Sequence, residues 1–302
     1  MNNQASTLEL GTAITVPTIS SSSFKVFICI RQWAGQKKDK RASVEVAQDN
    51  GAKQGTARVT KSLLGDCPEL KAIQQLVGRV RNHHLYTYTL PWDDAGWRLL
   101  TTALMPKFFE SMTSLQQEFT TLVDVFINAY HLEKVEAQIQ LGNLYDPNDY
   151  PSEADLRAKF SFVIDKEPIA ESGDWRVDVQ QQAMADLQDD YQKRYTTKIN
   201  SAMNDVWGKL HKTLSALSDR IDYGDNEPAK IFKATTVDNL LELVDLLDAF
   251  NITGDPTMAQ MTVDLKNAMR GISPEALRED SGLRAETKKA LDAAIKSLPS
   301  LN

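Results

Sequence analysis

Phe108, Met112, Leu115, Phe119, Leu122, Val123, Phe126 and Tyr130 recur at three- and four-residue intervals, a spacing that puts them on the core face of a helix. They sit in a stretch from Asp93 to about Leu141 that reads as helices with one interruption at Pro106. The same periodicity in "PELKAIQQLVGRVRN", 68–82, predicts an amphipathic helix with Pro68 in its first turn. A third helix is predicted from Gln181 to about Ile221, with Tyr191, Tyr195, Ile199, Met203 and Val206 roughly in register. Period-two or β-branched runs are fewer. "FKVFICIRQW", 24–33, is the clearest strand, and "FSFVID" with "WRVDV" reads as two strands that pair as a hairpin. "LYTYT" also reads as extended, which would set the rings of Tyr86 and Tyr88 on one face about 6 to 7 Å apart.

Breakers divide these elements. Residues 1–23 form a Ser- and Thr-rich arm, "YDPNDYPSE" is a turn cluster leading to a short helix, and "DYGDNEPAK" interrupts the helical pattern. The segment 34–57 mixes glycines, glutamines and charges around a short "SVEV", and reads as a long basic hairpin or loop. The expected organisation is a basic β/helical domain with long helices over 1–225, then a small acidic helical domain over 226–302. Within the latter, "TVDNLLELVDLLDAF" suits a bundle helix or a partner-binding one. The fold class is α+β, mainly helical, with small antiparallel β elements in the N-terminal half and a helical C-terminal unit. Five regular strands are lacking, so it is not an OB-fold.

Composition is that of an ordinary globular chain of 302 residues, 42% hydrophobic and 25% charged, and no apolar run approaches a membrane span. Two cysteines, Cys29 and Cys67, are too few for a disulfide framework, which fits a reduced compartment. The net charge of −7 is unevenly spread. Residues 1–98 hold 13 Lys plus Arg against 8 Asp plus Glu, net +5, and 99–302 hold 21 against 33, net −12. Between Lys25 and Lys61 nine basic residues face three acidic ones, a split associated with nucleic-acid contact at one end of a chain.

Catalytic patterns are missing. There is no phosphate-binding G-x-x-x-x-G-K-[ST] or strand-linked G-x-G-x-x-G, and no G-x-S-x-G elbow. His83, His84, His131, His211 and two separated cysteines lack zinc spacing, so no metal and no cofactor is expected. Asp93 with Asp94 reads as a helix cap, and Asp189 with Asp190 as solvated mid-helix groups. The chain reads as a binding protein, not an enzyme.

Single strands are held by a cationic groove that follows the phosphates and by flat groups on which bases stack. The front of the chain offers both: Lys25, Arg31, Lys37, Lys38, Lys40, Arg41, Lys53, Arg58, Lys61, Arg79 and Arg81 for charge, and Trp33, Tyr86 and Tyr88 for stacking. At least one tyrosine is expected to pack instead. No helix-turn-helix, zinc finger or basic zipper is traceable, so duplex reading is not expected.

The order "HHLYTYTLPWDDAGWRLL", "LGNLYDPNDYPSEADLRAKFSF", "GDWRVDV", a long helix and an acidic helical end resembles the single-stranded-DNA-binding RNA polymerase cofactors of Pseudomonas podoviruses, relatives of the coliphage that packages its own RNA polymerase. The resemblance implies a fold unlike other single-strand binders, largely nonspecific binding of single-stranded DNA, and recruitment of the phage RNA polymerase to melted promoters in the passage from early to middle transcription. It places the protein in the host cytoplasm, leaves homo-oligomerisation open, and transfers no residue-level site. "TLPW" and "LGNLYDPNDYP" also resemble an uncharacterised family of phage and mobile-element proteins encoded beside MoxR-type ATPases. That likeness implies an adaptor without DNA affinity. The final "SLPSLN" lacks the acidic tip of bacterial single-strand binders, so a polymerase contact would use a folded surface.

Overall fold

The computed structural model describes residues 19–170, 181–223 and 233–299. The protein is α+β and mainly helical. Strand β1, Ser23–Arg31, forms where aromatic and β-branched residues concentrate. It pairs antiparallel with β5, Arg98–Thr101, from Ser23 opposite Thr101 to Val26 opposite Arg98. With β4, Leu90–Pro91, and β6, Ser161–Pro168, the sheet runs β4-β5-β1-β6. A separate ribbon pairs β2, Gln36–Asp39, with β3, Val59–Ser62.

The residues between these two strands are only partly a loop, which is confined to 50–58. Lys40–Asp49 is helix α1, and "SVEV" lies inside it. Capping decides the matter: the Asp39 carboxylate accepts from Ala42 N at 2.9 Å, and Ser43 and Ala47 are buried beneath. The local β preference of two valines loses to that cap. Helix α2, Pro68–Arg79, is as the periodicity predicts, with Leu70, Ile73, Leu76 and Val77 buried. It then runs through a π-turn, Val80–His84, closed by Leu85 N donating to Val80 O, into a helical turn, Leu85–Tyr88. The expected tyrosine strand is therefore helical, and the two rings do not share a face. Another correction concerns 93–104. Asp93 caps no helix; its carboxylate accepts from Trp97 N at 3.1 Å in the turn joining β4 to β5, and β5 is buried along its length.

Beyond it, α3, Met105–Leu141, is one continuous helix with Pro106 tolerated at its start. Phe108, Met112, Leu115, Phe119, Val123, Phe126 and Tyr130 are buried along it. Helix α4, Glu153–Arg157, precedes β6, and the proposed pairing partner "WRVDV" lies outside the described residues. Helix α5 is Gln181–Ile221, α6 Ala234–Phe250, α7 Pro256–Ala268, α8 Pro274–Glu279 and α9 Ser281–Ser297.

Packing divides the chain into two compact units, neither of them one continuous segment. The first comprises Phe27–Thr87 and Pro106–Asp165, with a core in which Phe126 lies 5.9 Å from Tyr130 and 5.8 Å from Phe160 between ring centres. The second contains Tyr88–Met105 and the described residues from Lys166 onward. In it α5 packs on α6 and α9, burying Val206, Leu210, Leu214, Leu217, Leu240, Val244 and Leu291. The boundary expected near 224–230 falls outside the described residues.

Candidate nucleic-acid interface

Three of the fourteen candidate residues come together at the end of β1. Arg31, Trp33 and Arg81, with Ile30, Gln32, Ala34, Ala158 and Lys159, line an open cleft of about 670 Å³, within the usual range of ligand sites. Each cation is placed by a different element. Arg31 ends β1, and its Nε donates to Ser161 Oγ at 2.8 Å. Arg81 sits in the π-turn and donates to the Ile30 carbonyl at 3.1 Å. Lys159 follows α4 and is exposed. A guanidinium carries five N–H groups, so both arginines keep donors for a ligand. No carboxylate is among the residues that line the cleft.

Trp33 has two roles. Its ring packs 6.1 Å from Phe126 and 6.0 Å from Tyr130, yet it also lines the cleft and is half-buried. The adjacent Gln32 Oε1 is buried and accepts no hydrogen bond among the described residues, a state that natural structures seldom leave unfilled. Gly35 then turns the chain into β2. Its φ of +65° strains any other residue, and a Cβ there would stand 2.7 Å from Leu70 Cδ2, so the Leu70 side chain would have to shift.

On the ribbon, alternation sorts the lysines. Lys37 and Lys61 are opposite one another and share a face with Asp39. Lys61 is 9% exposed, 2.7 Å from Asp149 and 3.5 Å from Asp39, so it is a structural cation and not a phosphate ligand. Its ammonium pKa is raised by the hydrogen bond to Asp149, against the opposing effect of burial. Burial pushes Asp149 up, but the hydrogen bonds from Lys37 and Lys61 outweigh it and hold the carboxyl below its usual range. Lys37 is thereby engaged as well. Lys38 lies on the other face with Gln36, Thr60 and Ser62, all exposed. Lys40, Arg41, Lys53 and Arg58 are exposed around it on α1 and the following turn; of these only Arg41 has an ion pair among the described residues, with Glu45 at 3.1 Å.

The remaining candidates are set apart. Lys25 pairs with Glu167 at 2.7 Å and lies 4.9 Å from the Trp97 ring centre. Arg79 pairs with Glu118 at 2.5 Å. Tyr86 is 46% exposed, whereas Tyr88 is half-buried, its hydroxyl pKa raised by burial and then by Glu242. Lys159 escapes a reading of the sequence, because nothing local marks a lysine 128 residues after Arg31 as its neighbour.

Among the described residues one group has ligand atoms close enough to hold a metal: Cys67, Glu69 and Glu133. Burial pushes the Cys67 thiol up to about 12, so it is a hydrogen-bond donor, 3.5 Å from Glu69 Oε2. A comparison with known protein families, curated proteins and solved structures finds no match to this chain.

Proposed function

We propose that the protein binds single-stranded DNA with little regard to sequence. The observation that carries this reading is the cleft: Arg31, Arg81 and Lys159 around Trp33 and the unpartnered Gln32 oxygen, with no carboxylate among the lining residues. Cations neutralise phosphates, while an indole or guanidinium face accepts any base, so the two terms together favour a flexible strand over a duplex whose bases are stacked away. The exposed face of the ribbon begins four residues beyond Gln32 and extends the same charge. The role that the resemblance implies, recruiting a phage RNA polymerase to melted promoters, rests on this reading; beyond residue 98, the cleft-lining Ala158 and Lys159 apart, the net −12 disfavours DNA and suits protein contacts.

Fluorescence anisotropy with a labelled single strand and its matched duplex, at two salt concentrations, tests the reading. The single strand binds tighter, and Arg31→Ala with Arg81→Ala weakens it and flattens the salt slope by about 0.7 for each phosphate that is no longer neutralised. Equal or tighter duplex binding, or a double variant that binds like the parent, refutes it. The adaptor reading has its own support in an apolar groove of about 680 Å³ lined by Met261, Leu265, Ala290 and Ala294, and it predicts no DNA affinity.

A further inference from the structure

Helix α3 is apolar on two faces. Val123, Phe126, Ile127, Tyr130 and Ala137 are buried, while Val125, Leu132, Val135 and Ile139 stand 48, 72, 52 and 79% exposed. Val125, Leu132 and Ile139 are seven residues apart, and Val135 follows Leu132 by three. The exposed set therefore takes the a and d positions of a heptad whose remaining d is Asn128, and the buried set takes b, c and f. The first half of the helix has no such ridge, since the corresponding positions are Ser111, Ser114, Glu118 and Thr121. From Val125 to Ile139 the ridge is about 21 Å long at 1.5 Å per residue.

We propose that this ridge is the seam of a parallel, two-fold homodimer of the chain. Monomeric proteins seldom leave a contiguous apolar ridge in water, and a ridge of heptad period is the kind that another face of the same period covers. Two features select a second copy in parallel register. Asn128 meets its own counterpart there, and two carboxamides satisfy each other's donor and acceptor; in the antiparallel register it faces Ile139 instead. His131 at g lies across from Glu136 at e of the second copy, and the pair occurs twice by symmetry. One Glu136 oxygen accepts from Gln140 at 2.9 Å on its own helix, and the other has no partner among the described residues. Asp124, the preceding g residue, opposes Ala129 and is held by Arg157, so no like charges meet. The helix is already formed in the monomer, so pairing orders little backbone. The seam is short, and association belongs in the weak, concentration-dependent class.

Light scattering or sedimentation over a concentration series reads this directly. The chain gives twice the 33.8 kDa of one copy at micromolar concentration and above, and Leu132→Asp with Ile139→Asp returns it to one copy with an unchanged circular dichroism spectrum. Both side chains are exposed, so folding does not depend on them. Val135→Cys tests the register independently: a d residue meets itself only in the parallel arrangement, and mild oxidation then gives one interchain disulfide that the parent, with Cys29 and Cys67, does not form. A chain monomeric at every concentration, a dimer indifferent to the double substitution, or a dimer that Val135→Cys does not cross-link each overturns the proposal.

Discussion

The two faces of the β2–β3 ribbon carry the same kind of residue to different ends. On one, Lys37 and Lys61 are matched by Asp149 and Asp39, and the ammonium of Lys61 also donates to the Leu144 carbonyl. On the other, Lys38 stands among Gln36, Thr60 and Ser62, with Lys40 and Arg58 flanking the end of the ladder. A charge count treats both faces alike. Lys37 reaches water as well, but only the second face has cations without a carboxylate partner among the described residues, so a phosphate gains there without first breaking an internal pair. Strand alternation, not local composition, separates structural from available charge.

The sharpest way to break that comparison is Lys61→Met. It leaves Asp149 buried with only Lys37 to meet it, and breaking a buried pair costs about 3 to 5 kcal/mol, toward the lower end here because Lys37 remains. Urea unfolding shows the loss, and DNA affinity per folded molecule stays at the parent value. A strong affinity loss without destabilisation would place Lys61 on the binding side. Next, replacing Lys38, Lys40, Lys53 and Arg58 together by alanine leaves stability nearly unchanged and flattens the single-strand salt slope by as much as about 3, at roughly 0.7 per phosphate. An unchanged slope would confine binding to the cleft. The smallest effect is in pH. The folded carboxyl of Asp149 titrates below its unfolded value, so its contribution is present above about pH 4, the ordinary carboxylate range, and is lost as pH falls through the lower folded value. Lys61 titrates above its unfolded value, so its share is intact below about pH 10 and lost only beyond. Stability measured between these limits is flat with respect to this pair, and Lys61→Met reduces the acid-side slope to the part that Lys37 sustains.

Periodic segments were legible because their cores are local. The α2 and α3 stripes, the α5 register and the β1 strand follow from spacing alone. What failed was set by distant partners or by caps. Asp39 starts a helix over two valines that favour strand, β5 exists because β1 and β4 border it, and Leu85–Tyr88 inherits helix from α2. The site was legible in kind and poorly in membership. Arg31, Trp33 and Arg81 meet across 50 residues of chain, Lys159 joins from still further away, and Lys61 is drawn inward by Asp149, a residue with no local mark of that role. Even along the long helix, spacing marks the core stripe more strongly than the heptad beside it, whose exposure depends on what the rest of the fold leaves uncovered.

The π-turn at Val80–His84 fixes a phase relation. A bond from Leu85 to Val80 spans one residue more than an α-helical turn, so everything after it is rotated by about 100° from where an unbroken helix would carry it. Arg81 lies inside that extra turn, tied to the end of β1, while Leu85–Tyr88 obeys the later phase. A chain one residue shorter here would form an uninterrupted helix and keep the ring of Tyr86 where it is, whereas an unbroken helix of the present length would turn that ring to another quarter of the surface. Length at this point works as an angular setting, to which composition is blind.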